Sequence, residues 1–151
     1  MKPKWPNLLL VLPLVAGSCK DSTGPARISL SAVVGTWDNT AAELTSLTNA
    51  NNKHDLFADG VRDVFIIRPD GVAVDTFTEP GFGTFVDSSG VVVQADSMYI
   101  FFPVDAPSDT SRYAVTLSRS VMTLLGRNGL QWEFTPGTFE EVSERYVYRR
   151  R

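Results

Sequence analysis

Turn-forming clusters recur along this chain at short intervals, and helix is hard to place among them. Pro69-Asp70-Gly71, Pro80-Gly81, Asp87-Ser88-Ser89-Gly90, Pro107-Ser108-Asp109, Arg127-Asn128-Gly129 and Pro136-Gly137 punctuate segments rich in Val, Ile, Thr, Phe and Tyr. β-Branched and aromatic residues bounded by such signals read as short strands. The spacing predicts strands at 33–40, 61–68, 72–78, 83–87, 91–95, 97–102, 112–118, 121–126, 130–135 and 143–150. Leu130, Trp132 and Phe134 alternate with Gln131, Glu133 and Thr135, and Tyr113, Val115 and Leu117 alternate with Ala114, Thr116 and Ser118. Each of these strands therefore has one apolar and one polar face. The segment Thr45–Ala58, with Asn49, Asn51, Asn52 and Lys53, is polar and turn-prone. It is expected to be a long loop, either a lid or a plain connection.

About ten short strands must bury their apolar faces, and closing the sheet on itself also removes the edges that would pair with other chains. The expected fold is all-β, an antiparallel up-and-down barrel of about 8–10 strands over residues 28–151. A barrel of eight strands is just wide enough to be filled by side chains or to hold one small molecule. The large residues that alternation turns inward are Phe65, Ile67, Phe77, Phe85, Met98, Ile100, Phe102, Tyr113, Trp132 and Phe134. They fit the lining of an apolar pocket and equally a solid core.

The front of the chain has a different character. Lys2 and Lys4 precede an apolar run, Leu8–Leu12 with Leu14 and Val15, broken by Pro13 and followed by Ala16, Gly17, Ser18 and Cys19. The run is far short of the roughly 20 residues that span a bilayer, and its anatomy is that of an export signal. Cys19 is the only cysteine, so no internal disulfide accounts for it. The segment Val15-Ala16-Gly17-Ser18-Cys19 resembles the lipobox of bacterial lipoproteins, with Ala16 where leucine is usual. The resemblance implies cleavage before Cys19, a diacylglyceryl group on its thiol, and a mature chain tethered by residues 19–27 to a membrane of the cell envelope. Lys20 in place of aspartate implies, by the sorting rule of such proteins, the outer membrane.

Removal of residues 1–18 takes Lys2 and Lys4 with it and leaves 12 basic against 17 acidic residues, a formal charge of −5. Nucleic-acid binding relies on clustered Lys and Arg, and the one basic cluster is Arg149-Arg150-Arg151. No nucleic-acid partner is expected. His54 is the only histidine, and the adjacent Asp55 does not orient an imidazole as a catalytic partner would. One histidine without a second cysteine does not make a zinc site. Asp87, Ser88 and Ser89, or Asp105 and Asp109, fit Ca²⁺ ligation and turn stabilisation alike. No cofactor is implied, and no enzyme is expected.

The stretch Val34-Gly35-Thr36-Trp37 resembles the Gly-x-Trp signature of lipocalin-like proteins. The layout of residues 28–151, with its Pro-Asp-Gly turn and an aromatic, Arg-rich closing strand, is similar to small bacterial lipocalin-like lipoproteins. The resemblance implies that Gly35 opens the first strand, that Trp37 packs in the closed end, and that Arg149 or Arg150 stacks over it. Two functions remain open at this point. One is a lipid-anchored protein that holds a small apolar molecule, such as a lipid or fatty acid. The other is an envelope interaction protein or inhibitor that binds another protein through its rim loops.

Overall fold

The computed structural model describes residues 27–102 and 109–151; the signal segment, Cys19 and Asp105 lie outside the described residues. A four-residue helix, α1 (Leu30–Val33), precedes ten strands: β1 (Gly35–Ser46), β2 (Lys53–Asp55), β3 (Arg62–Ile67), β4 (Val72–Glu79), β5 (Gly83–Gln94), β6 (Ser97–Phe102), β7 (Asp109–Leu117), β8 (Val121–Gly126), β9 (Gln131–Thr135) and β10 (Thr138–Arg150). Neighbours pair antiparallel in the order β2-β1-β3-β4-β5-β6-β7-β8-β10-β9, and β1 also pairs with β10. That last pairing closes a ring of eight strands, with β2 and β9 as extensions, and the architecture is that of lipocalin-like folds. Among the described residues, the ring and its core lie within residues 28–151.

The seam between β1 and β10 runs from Trp37 opposite Arg150 to Ser46 opposite Val142, interrupted by one bulge at Thr40. A bulge bends its strand and leaves ladder groups unpaired. Here the Asn39 amide donates to the carbonyls of Ala41 at 3.0 Å and Val147 at 3.4 Å, so the side chain answers the disruption that the extra residue creates. The β3–β4 turn follows its sequence signal. Gly71 has φ 80°, a left-handed conformation that favours glycine, and Asp70 accepts a hydrogen bond from the Val72 amide at 3.1 Å.

Several sequence expectations are corrected. Val33 belongs to α1 rather than to the first strand, and β1 continues to Ser46, well past Thr40. Asp87-Ser88-Ser89-Gly90 is not a turn but part of the 12-residue strand β5, which merges two expected strands. The glycine serves packing: a Cβ at Gly90 would sit 2.0 Å from the ring of Phe101, its partner on β6. An aromatic ring laid over a glycine fills the gap that the missing side chain leaves. Asp87 and Ser88 point to opposite faces of this strand, so the run does not converge on a cation.

Thr45–Ala58 is likewise not one long loop. Its first residues finish β1, residues 53–55 return as β2, and the intervening turn is tied to β10 by Glu140. The Glu140 carboxylate accepts from the hydroxyls of Ser46 and Thr48 and from the Asn52 amide. These donors hold it below the usual carboxylate range. Strand β9, the clearest alternating segment in the sequence, pairs only with the first part of β10, outside the ring.

The core is concentrated at one end. Trp37, Ile67, Met98, Met122 and Val33 are fully buried there, joined by Ala73, Val91 and Val115. α1 lies across this end, and the Trp37 indole Nε1 donates to the Val33 carbonyl at 2.7 Å. The Arg150 guanidinium stands 4.5 Å from the centre of the indole ring and donates through Nη2 to the Ala32 carbonyl at 2.6 Å. A cation over a Trp face is attracted by the ring quadrupole, and the same guanidinium caps the backbone of α1. Gly35 begins β1 with φ 143° beside these groups. Arg149, one position away, points outward and is exposed.

Candidate functional site

Above this packed end the barrel is hollow. A cavity of about 370 Å³ occupies the opposite half of the interior. Of the ten large residues expected to face inward, Phe65, Phe77, Ile100, Phe102, Tyr113 and Trp132 line it. The other four do not. Ile67 and Met98 are buried below it in the closed-end core, Phe85 is 48% exposed on the projecting part of the β4–β5 hairpin, and Phe134 lies on β9 outside the lining. Alternation finds the face of a strand but not the height along the barrel, and height decides between core and cavity. The alternatives of solid core and apolar pocket are thus both realised, one above the other.

The mouth is narrowed by residues outside the ring. Leu56 and Val61, from the turn between β2 and β3, reach the cavity from one side, and Trp132 from β9 does so from another. His54 on β2 stacks on Trp132 with ring centres 4.4 Å apart, and its Nε2 lies 2.7 Å from a carboxylate oxygen of Asp59. The histidine is therefore a strand residue joined to the rim, rather than a solvated loop residue. The two extension strands meet across it.

The cavity also contains polar groups that its apolar sequence pattern conceals. Asp63 lies opposite Phe77, and Asp75 lies opposite Phe65, so the two aspartates are diagonal neighbours on the inner face of β3 and β4. The signal was present in the sequence. Asp63 falls in phase with Val61, Phe65 and Ile67, and Asp75 in phase with Ala73 and Phe77, so each interrupts the apolar face of its strand. The Tyr148 hydroxyl donates to Asp63 Oδ2 at 2.5 Å. The Asp63 and Asp75 carboxyls hydrogen-bond each other, and no other donor reaches the buried Asp63 Oδ1 and Asp75 Oδ1. Burial, followed by the adjoining Asp63 carboxyl and then the charge of Asp87, raises the Asp75 carboxyl to about 9. Asp75 is protonated at neutral pH as a result.

A second buried carboxylate is treated differently. Glu144 on β10 accepts from the hydroxyls of Tyr113 at 3.1 Å and Tyr146 at 3.3 Å and from the Asn128 amide at 3.3 Å. Burial, with the Glu144 charge adding to it, holds both phenols above their ordinary range, so they remain donors. Tyr113, Tyr146, Tyr148 and Phe65 form a run of rings with successive centres 6.0–6.5 Å apart along the cavity wall. Chemically, the site offers aromatic walls, a carboxyl pair sharing a proton, and Glu79 nearer the rim. Compared with known proteins, the chain matches no family model and no curated sequence.

Proposed function

We propose that the chain is a lipid-anchored cell-envelope protein that carries a small, largely hydrophobic molecule in its barrel and catalyses no reaction. The observation that carries this reading is the cavity of about 370 Å³, walled by aromatic and aliphatic side chains. That volume falls in the lower part of the roughly 300–1,000 Å³ range of small-molecule sites, which are mostly apolar with a few placed polar groups. A chain under pressure only to be stable would gain by filling the space, since unfilled interior volume forfeits contacts. The experiment is native mass spectrometry of residues 21–151, beside the same sample denatured. Mass in excess that disappears on denaturation supports the reading. A bare polypeptide mass that persists after incubation with a lipid extract would count against it.

The anchoring half of the proposal rests on the export-signal anatomy and the lipobox-like segment before Cys19. Acyl chains contribute about 0.8 kcal/mol per buried CH₂, so several chains on one cysteine bind firmly. Cys19→Ser is expected to move the protein from the membrane to the soluble fraction on cell fractionation. Retention of the variant in the membrane fraction would refute acylation at Cys19.

One observation favours the second reading, a protein that docks on another protein. The β4–β5 hairpin projects Phe82, Phe85 and Val86 into solvent, with Phe82 74% exposed. Exposed apolar groups clustered on one projection are a common mark of an interaction surface. The two readings are compatible, because the hairpin tip and the cavity are different parts of the barrel.

A further inference from the structure

Among the described residues, the acidic pair at the side of the cavity has no cation beside it. Of the described residues that line the cavity none is basic, whereas three, Asp63, Asp75 and Glu79, are acidic. Burying carboxyl oxygens in an apolar wall is costly unless they are paired. Elsewhere in this barrel the cost is met: Glu144 receives three donors. Asp63 has the Tyr148 hydroxyl on one oxygen, and apart from the hydrogen bond between the Asp75 and Asp63 carboxyls no other donor reaches Asp63 Oδ1 or Asp75 Oδ1. This carboxyl pair stands within a hollow large enough for a guest, beside the rings of Phe65 and Tyr148.

Resting on the proposed binding function, we infer that the occupant is an amphiphile with a protonated amine, its ammonium group held by Asp63 and Asp75 and its hydrocarbon portion along the aromatic walls. An alkylammonium supplies three N–H donors, and the carboxyl pair accepts them in charge-assisted bonds as the Asp75 proton is displaced. Aromatic faces add attraction for the same cation. An anionic guest meets the reverse. A fatty-acid carboxylate in this pocket would face fixed negative charge at low dielectric with no Lys or Arg among the lining residues, and Coulomb repulsion is strongest in such a setting. The fatty-acid guest suggested by the sequence is therefore the one the pocket disfavours.

The test is calorimetric titration of residues 21–151 at neutral pH with three probes that share one chain: octylamine, octanoate and octan-1-ol. Octylamine, protonated at that pH, is expected to bind about tenfold more tightly than octan-1-ol, and octanoate more weakly than either. Asp63→Asn and Asp75→Asn, checked for folding by circular dichroism, are each expected to reduce the preference for octylamine over octan-1-ol by about tenfold. Octanoate binding as tightly as octylamine, or both variants keeping the wild-type preference, would overturn the inference. If octan-1-ol and octanoate bind while octylamine does not, the amine inference falls and the cavity reading stands. Failure of all three probes would remove both.

Discussion

Trp37→Ala is expected to cost about 3–5 kcal/mol, the largest effect of any single truncation in this barrel. The indole is fully buried at the closed end, so the deletion leaves a void beneath α1 that strand backbones locked in a ring cannot collapse to fill. Two further losses accompany it. The Val33 carbonyl loses its donor, and Arg150 loses the ring beneath its guanidinium while still held by the Ala32 carbonyl. Because small domains are stable by only about 5–15 kcal/mol, the variant loses a large share of its margin. Trp37→Phe keeps a ring in place but removes the indole donor and is expected to cost less, about 1–3 kcal/mol. Urea denaturation midpoints of residues 21–151 and of these variants give the comparison. An alanine variant within about 1 kcal/mol of wild type would show that the closed end is not a rigid plug.

The second large effect is a dependence of stability on pH that runs opposite to the usual behaviour of carboxylates. Asp75 keeps its proton in the folded chain up to about pH 9, whereas an unfolded aspartate releases it near pH 4. Between these values the folded state binds more protons than the unfolded state, so stability falls as pH rises. At about 1.4 kcal/mol per pH unit, the contribution declines by on the order of 2–4 kcal/mol from pH 4 to pH 7, and it falls further until about pH 9. Asp75→Asn preserves a donor and an acceptor at this position and cannot ionise. The variant is therefore expected to have a flatter stability curve and to be the more stable protein at pH 8–9. Parallel curves for the two proteins, measured by thermal unfolding from pH 5 to pH 9, would contradict this assignment of the buried proton. A bound ammonium would favour the ionised form of Asp75, so ligand and proton compete for one carboxyl.

The barrel itself was legible because its information is local. Proline–glycine turns mark where strands end, and alternation marks which face is buried, as Pro69-Asp70-Gly71 between β3 and β4 illustrates. The errors arose where one composition serves two purposes. Asp87-Ser88-Ser89-Gly90 has the residues of a turn, but Gly90 is required by the ring of Phe101 on the next strand, a demand that appears only when the strands are paired. The polar run Thr45–Ala58 reads as loop, yet its Ser46, Thr48 and Asn52 supply the donors for Glu140, which is far away in sequence. For the site, six of the ten large residues that alternation turns inward line the cavity, and Asp63 and Asp75 escape such a reading because it counts only large apolar residues as facing the interior. Trp37 and its neighbourhood came from a three-residue resemblance, and of the two arginines offered as its partner, the pairing of Trp37 with Arg150 across the seam selects one.

The seam sets a condition on when this molecule can become itself. Its two sides, β1 and β10, are separated by the rest of the barrel, and no ring exists until both are present in the same compartment. Contacts between such distant segments must overcome the entropy of closing a long loop before they stabilise anything. If the chain is exported from its front end, as proposed above, β1 is delivered early and waits for β10. Until the last strand arrives, the cavity has no wall on one side and the Trp37 plug has no guanidinium above it. A barrel closed by its first and last strands acquires its interior only when synthesis or delivery of the chain is complete.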